Sequence, residues 1–225
     1  MPLLRQLPRW AWFGTAALAF IAGLVNAVGY LGFRHESISN MTGNASLLGI
    51  AVGQGEGGEA LHWVLAIAAF VLGTMLSGII VQQSTLKLGR RYGVALTLES
   101  LLLFAAVPLL DGAHSAGLYL ASVAMGLQNG MVSAYSGAVV RTTHVTGIFT
   151  DLGIYLGHLL RGLPVDMLRL RVCVVVASTF IFGSAIGALL FARLQEHAVL
   201  IPAALTGVCG LCYGLYRQYS LGTAR

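Results

Sequence analysis

The sequence predicts an all-α, polytopic membrane helix bundle that is built from two repeated halves. Hydrophobic residues make up 57% of its 225 positions and charged residues only 9%, whereas soluble domains carry about 25% charged residues. Six apolar segments are long enough to cross a hydrocarbon core of about 30 Å, which takes roughly 20 helical residues. Polar residues recur in the same order about a hundred positions apart. We therefore expect a single membrane domain over residues 1–225.

The six predicted spans cover residues 10–33, 60–81, 94–110, 116–140, 172–192 and 198–216. Two shorter apolar stretches, residues 42–52 and 146–160, follow the first and the fourth span. At 1.5 Å per residue they would form helices only about 16 to 22 Å long. We expect both to be short re-entrant or broken helices rather than spans.

Three groups of residues repeat in the same order. Gly23-Leu24-Val25-Asn26 recurs as Gly126-Leu127-Gln128-Asn129 after 103 positions, Thr42-Gly43 recurs as Thr146-Gly147 after 104, and Phe70 with Gly73 recurs as Phe180 with Gly183 after 110. Glycine is common in this chain, so the asparagines and threonines carry the argument. The repeats cover residues 10–110 and 116–216.

The basic residues indicate the orientation. If neither short helix crosses the membrane, eleven of the 13 Lys and Arg residues lie on the side of the N-terminus, and only Arg34 and Arg193 lie opposite. If both cross, seven of these basic residues lie on the side of the N-terminus and six lie on the other side. Positive residues concentrate in cytoplasmic loops, which favours the first arrangement and places both termini in the cytoplasm. Three spans per half then require a 3+3 repeat with inverted topology.

The starts of the two short helices are candidate binding groups. A helix N-terminus carries unpaired N–H groups and a partial positive charge. Thr42 and Thr146 are expected to be the N-caps, while Gly43 and Gly147 would allow close approach by a backbone or a solute. We expect the two ends to face each other across the pseudo-two-fold axis and to favour an anionic group.

Polar residues at membrane depth complete the candidate site. Asn26, Gln128 and Asn129 either hold helices together or contact a polar solute. His144 and Asp151 offer a proton relay; the alternative is a structural ion pair between Arg141 and Asp151. The full set of solute-binding or coupling candidates is Asn26, Thr42, Gly43, Asn44, Gln128, Asn129, Arg141, Thr143, His144, Thr146, Gly147, Thr150 and Asp151.

Other features indicate no further chemistry. The sequence contains no Walker loop, dinucleotide fingerprint, H-E-x-x-H motif or nucleophile elbow, so no cofactor, metal or enzymatic activity is expected. The net charge of +5 comes from short loops without a basic stripe, which argues against nucleic acid as a partner. The cysteines, Cys173, Cys209 and Cys212, fit small packing residues. Glu99 is expected to extend to the cytoplasmic interface.

The motifs resemble those of a known family. They are Gly23-x-x-Asn26-Ala27-x-Gly29-Tyr30, Ser39-x-x-Thr42-Gly43-Asn44, Gly126-x-Gln128-Asn129 and Arg141-Thr142-Thr143-His144-x-Thr146-Gly147-x-x-Thr150-Asp151-x-Gly153. This set is similar to the YoaK-like family of small bacterial inner-membrane proteins, a domain of unknown function, over nearly the whole chain. The resemblance implies a bacterial, six-span protein of the inner membrane, and it names no substrate.

These observations favour a transporter or channel for a small polar or anionic solute, with proton coupling through the charged residues of the second half. Two alternatives stay open. One is a non-transporting membrane partner or assembly subunit in which the motifs only lock helices together. The other is an intramembrane enzyme that uses His144 and Asp151 as acid and base. The lipid bilayer and an unidentified small solute are the expected partners, and a homo-oligomer is compatible with the sequence.

Overall fold

The structure is a computed structural model that describes residues 9–32, 35–81, 91–136 and 141–222. The described residues form eight α-helices and one 3₁₀ helix, and no strand occurs among them. The helices are α1 (Arg9–Gly32), α2 (Met41–Gln54), α3 (Gly57–Ile80), α4 (Arg91–Asp111), α5 (Ser115–Ser136), α6 (Val145–Leu160), α7 (Met167–Leu194) and α8 (Leu200–Gly222). The 3₁₀ helix Gln195–Val199 joins α7 to α8.

The six long helices coincide with the six predicted spans, and α2 and α6 coincide with the two short apolar stretches. Residues 137–140, which the fourth predicted span includes, lie outside the described part of the chain. The helix α7 begins five residues before the predicted span. Its extra turn is capped by Asp166, whose Oδ1 accepts hydrogen bonds from the backbone N–H groups of Leu168 and Arg169 at 3.1 and 3.2 Å.

Length and composition identify membrane-crossing segments in the described part of the chain. Four segments there are long and apolar enough to cross a bilayer: Ala11–Gly32, Gly57–Ile80, Arg91–Asp111 and Met167–Leu215. Their outer faces expose large apolar side chains such as Val71, Met75 and Phe182. Lipid is the solvent that such a surface fits, so the chain is a multi-pass helical membrane protein in contact with the bilayer.

Two close helix pairs share one arrangement, in which a glycine of each helix lies directly against a backbone carbonyl of the other. The contacts are Gly23 with Phe180 and Gly183 with Phe20 between α1 and α7, and Gly126 with Phe70 and Gly73 with Val123 between α3 and α5. A Cβ atom at any of these glycines would overlap the carbonyl oxygen, so the missing side chain allows the close approach. The glycines that repeat in the sequence therefore make corresponding contacts.

Further contacts fix the helix directions. Gly32 at the end of α1 meets Phe191 near the end of α7, so these helices are parallel. The α3–α5 pair is parallel as well, because Gly130 meets Ser77 one turn beyond the contact of Gly126 with Phe70. The two pairs thus have the same relative direction.

The helix α1 runs antiparallel to α5. The Leu18 carbonyl in α1 accepts a hydrogen bond from Gln128, whereas the Ile38 carbonyl, beyond the end of α1, accepts one from Ser122, nearer the start of α5. Since α3 is parallel to α5, it is antiparallel to α1. We call the end of the bundle where α1 finishes and α3 and α5 begin the upper end. Each short helix lies between two long helices of opposite direction, so the chain returns to the same end of the bundle after it.

Candidate functional site

The segment 35–40, between α1 and α2, folds back into the bundle. The backbone N–H of Ser39 donates to Oδ1 of Asn26 at 2.9 Å, and Nδ2 of Asn26 donates to the Ser39 hydroxyl at 2.8 Å. The neighbouring Ile38 is buried, and its carbonyl accepts a hydrogen bond from Ser122 at 3.2 Å. Because Asn26 lies six residues before Gly32, the end of α1, Ser39 sits about 9 Å below the upper end.

The segment before α6 is anchored in a related way. Gln128 on α5 donates through Nε2 to the Thr142 hydroxyl at 3.1 Å and to the Leu18 carbonyl at 2.9 Å. Thr142 is completely buried. In the second half, Gln128 therefore makes the contact that Asn26 makes in the first half. Asn129, the repeat counterpart of Asn26, does not make it. Within the described residues, Oε1 of Gln128 and Oδ1 of Asn129 are buried without a hydrogen-bond partner.

Both anchors lie in the central part of the bundle. Leu18 and Asn26 stand on either side of the middle of α1, and their separation of eight residues corresponds to about 12 Å along the helix axis. The helix α2 runs from this level to the upper end, and α6 runs from it to the lower end. Two half-helices thus begin near the middle of the bundle and diverge.

The expected N-caps were wrong. The N-cap of α2 is Asn40, whose Oδ1 accepts from the Gly43 N–H at 3.2 Å, and the N-cap residue of α6 is His144, which makes no side-chain capping bond. Both helices thus begin before Thr42 and Thr146, which lie in the first turn. A threonine inside the first turn cannot take the capping position, whereas asparagine is among the best N-caps.

Gly43 and Gly147 have a shared role in these caps. A Cβ atom at Gly43 would overlap the Asn40 side chain, and one at Gly147 would overlap Nε2 of His144. In both helices the side chain of the N-cap residue folds over the glycine three positions later. The close approach that we expected at these glycines occurs, and the neighbour in this structure is the cap side chain.

A cavity of about 500 Å³ lies where the two short helices begin. Four parts of the chain line it: α1, the segment before α2, the start of α6, and α7. The lining residues are Asn26, Ala27, Tyr30, Leu31, Ser37, Ser39, Asn40, Thr143, Val145, Thr146, Phe180, Ser184 and Ala188. Three predicted site residues, Asn26, Thr143 and Thr146, are among them. None of these lining residues carries a formal charge at neutral pH, so the two helix N-termini supply the fixed positive potential.

The charged candidates of the second half are not brought together. Arg141, His144 and Asp151 are all exposed, and no hydrogen bond or ion pair joins any of these three described residues to another. The Thr150 hydroxyl donates to the Thr146 carbonyl at 3.0 Å, within its own helix. Neither the predicted proton relay nor the alternative Arg141–Asp151 ion pair is formed in this structure. Asn44 is buried beside the cap of α2 and does not line the cavity.

A buried polar group that the sequence analysis missed lies next to the cavity. His62 of α3 places Nε2 2.8 Å from Oε2 of Glu36 and Nδ1 2.7 Å from the hydroxyl of Tyr119 on α5. Glu36 is only 6% exposed, and His62 is 7% exposed. An ionisable residue inside a span is a candidate site by default, and this rule, applied to His62 in its apolar helix, would have identified the group.

The expectation for Glu99 was also wrong. It is completely buried on α4, beside Thr206 and Cys209 of α8, and it does not extend to the interface. The next residue, Ser100, donates to the Ala203 carbonyl at 2.7 Å, which holds this face of α4 against α8. In the described part of the chain, no three His, Cys, Asp or Glu side chains are grouped to hold a metal ion.

Together the fold and the cavity define a class: helical membrane proteins with two short helices whose N-termini lie at one cavity. The chain belongs to the family described as "Protein of unknown function (DUF1275)", whose model matches residues 14–212. It is also similar to the "UPF0700 transmembrane protein YoaK" of Bacillus subtilis (strain 168), with 30% identity over 145 residues. That match covers 60% of this chain and 62% of the relative, so less than two thirds of the relative's length is covered. No solved structure matches the chain. The family resemblance inferred from the motifs is confirmed.

Proposed function

We propose that this protein is a transporter or channel for a small polar solute, preferentially an anionic one, in the bacterial cytoplasmic membrane. The observation that carries the proposal is that α2 and α6 both begin at one cavity of about 500 Å³ in the middle of the bundle. Ligand cavities of this size, about 300 to 1,000 Å³, hold small organic molecules. Half-helices whose ends meet at the midplane are a recurrent solution for solute sites in transporters.

We further propose that six helices span the membrane as a 3+3 inverted repeat with both termini in the cytoplasm. Three observations support this topology. The repeated glycines make corresponding contacts in the α1–α7 and α3–α5 pairs. Each short helix connects two antiparallel long helices, so it adds no crossing. The distribution of basic residues along the sequence favours the same orientation; five of them, Arg5, Arg34, Lys87, Arg90 and Arg225, lie outside the described residues.

The lining favours a solute with hydrogen-bonding groups and negative charge. Ser37 and Thr146 offer neutral polar groups, and the start of α6, which has no side-chain cap, adds unpaired N–H donors. No acidic side chain lines the cavity, so nothing there repels an anion. A carboxylate or a small inorganic anion is the chemistry that two converging helix N-termini stabilise best.

The rival functions require other arrangements. An intramembrane enzyme based on His144 and Asp151 would need these side chains to cooperate, and they do not contact each other. We therefore propose no enzymatic activity. A non-transporting partner subunit would need no solute in the cavity, and this is the outcome that a binding experiment can reveal.

The test is a stabilisation screen of purified protein against small inorganic anions, carboxylates and neutral polar solutes, followed by uptake into proteoliposomes. Thr146→Val removes a hydroxyl from the cavity wall, whereas Thr150→Val removes a matched hydroxyl one turn further along α6 that bonds within its helix. We expect the first variant to weaken binding and uptake and the second to leave both unchanged. Equal effects of the two variants, or no stabilising solute in the whole panel, would contradict the proposal.

A further inference from the structure

The segment before α2 contributes one member of a buried ionisable pair, formed by Glu36 and His62. Glu36 lies next to Ser37, which lines the cavity, and its carboxylate contacts Nε2 of His62 at 2.8 Å. The side chains of Glu36 and His62 are only 5% and 7% exposed. The Tyr119 hydroxyl lies 2.7 Å from Nδ1 of His62. The three side chains thus form a chain that connects this segment, α3 and α5. Trp63 contacts the His62 ring edge-on, with the ring centroids 5.0 Å apart.

The geometry allows this group to take up one proton without moving a heavy atom. With His62 neutral, its Nε2–H donates to the Glu36 carboxylate, and Nδ1 accepts from the Tyr119 hydroxyl. A proton that arrives from water binds at Nδ1, and Nδ1–H then donates to the Tyr119 oxygen after the hydroxyl hydrogen rotates away. The net charge of the Glu36–His62 pair changes from −1 to 0, and no other reactant is consumed.

We propose that Glu36, His62 and Tyr119 form the proton-binding site of this protein, and that it supplies the proton step of coupled transport. Its transport role rests on the proposed function; the proton site itself does not. A proton bound here cancels a negative charge one residue from the cavity wall and near the N-terminus of α2. Since charges interact strongly over short distances in a low-dielectric interior, protonation favours an anion in the cavity, and by linkage the anion favours protonation.

This group occurs in only one half. By the repeat offsets of 104 and 110 residues, the counterparts of Glu36 and His62 in the second half are Val140 and Val172. Neither valine can bind a proton, so a proton site of this kind is confined to the first half of the chain.

Other titratable groups lie on the surrounding elements. On α3 the nearest is Glu59, three residues before His62, and in the preceding segment it is His35, which is exposed and contacts the Tyr30 carbonyl. No titratable residue occurs in α2. Asp111, at the upper end of α4, lies 3.9 Å from Nδ1 of His197. This exposed pair provides a matched control at the same end of the bundle.

The experiment uses Trp63 fluorescence to report the charge of His62, because a protonated imidazole in contact with an indole quenches its emission. The full chain with Trp10→Phe and Trp12→Phe leaves Trp63 as the single tryptophan. We expect its emission to fall in one step as the pH is lowered, without any solute present. His62→Gln abolishes the step. Glu36→Gln keeps the step but moves its midpoint, since the imidazolium loses the facing carboxylate.

His197→Gln serves as the control and should leave the step and its midpoint unchanged. A step that persists in His62→Gln, or a midpoint that does not move in Glu36→Gln, would overturn the proton site. If His62→Gln fails to fold, Glu36→Gln, which conserves shape, decides alone. Because no solute is used, this result is independent of the cavity: a failed solute screen would leave the titration standing, and a failed titration would leave the cavity proposal standing.

Discussion

Asn26 on α1 and Ser39 before α2 are joined through both ends of the asparagine amide: Oδ1 accepts from the serine backbone N–H at 2.9 Å, and Nδ2 donates to the serine hydroxyl at 2.8 Å. This pair holds a non-helical segment inside the bundle. Irregular backbone at membrane depth is tolerated only when it is buried in protein or lines a wet cavity. Here Ile38 and Ser39 are buried, while Ser37 and Ser39 line the cavity, and the segment places the start of α2 at the cavity wall.

Removing this anchor should destabilise the protein. Asn26→Ala leaves the Ser39 backbone N–H buried without its partner, which costs about 1 to 3 kcal/mol. Ser39→Ala should cost less, because the backbone N–H bond to Asn26 remains. Ser46→Ala is the control, since that exposed hydroxyl bonds only to the Thr42 carbonyl of its own helix. Thermal unfolding in detergent measures all three; equal melting temperatures for Asn26→Ala and Ser46→Ala would show that the anchor is unimportant.

The glycine contacts should be intolerant of a methyl group. In Gly23→Ala the new Cβ meets the Phe180 carbonyl, a backbone atom that cannot rotate away, so α1 and α7 must separate. Overpacking of this kind costs typically about 1 to 3 kcal/mol. Gly14→Ala on the same helix adds its Cβ to open space and should be neutral or slightly stabilising. The comparison is made by thermal unfolding, and a Gly23→Ala protein as stable as Gly14→Ala would refute the close contact.

The topology can be tested just after the two short helices, at the first residue of α3 and in the loop before α7. In a background with Cys173, Cys209 and Cys212 replaced by alanine, we expect Gly57→Cys to react only with reagent added outside and Leu163→Cys only from the cytoplasm. Both positions are exposed. Labelling of position 57 from the cytoplasmic face would mean that α2 crosses the membrane, and the 3+3 inverted repeat would then be wrong.

Asp151 should contribute little to stability. It is exposed and forms no ion pair with Arg141, so Asp151→Asn should leave the melting temperature unchanged, alone or combined with Arg141→Gln. Removing one partner of a buried ion pair would lower the melting temperature, because the buried charge that is left alone is strongly destabilising. A large fall in the melting temperature of Asp151→Asn that the double substitution restores would support the structural ion pair.

The sequence was sufficient for the helices, because apolar length is a local signal, whereas the 3+3 inverted repeat stays a prediction. It predicted that Asn26 and the starts of α2 and α6 lie at one site. It could not choose between Gln128 and Asn129 as the second anchor, since adjacent residues on a helix differ only in direction, about 100° around the axis. The contact between Glu36 and His62 joins residues 26 positions apart on different elements, and neither residue recurs as an ionisable residue in the second half.

The cap of α2 shows a second limit. The Thr-Gly repeat indicated where both short helices begin, and the error was only two residues. Asn40 has no asparagine counterpart in the second half, where His144 stands, so the duplicated threonines were the more visible choice. The start of a helix depends on which nearby residue caps the free N–H groups, and the sequence pattern alone does not rank neighbouring candidates.

The central claim, that a solute occupies the cavity at the starts of α2 and α6, is tested most directly by filling that cavity. Ala188 lines the cavity on α7, and Ala185, one turn earlier, is exposed elsewhere on the same helix. For a solute that stabilises the unmodified protein, Ala188→Trp should abolish both the increase in melting temperature and the uptake into proteoliposomes, whereas Ala185→Trp should retain both. Full stabilisation and uptake in folded Ala188→Trp protein would contradict the account.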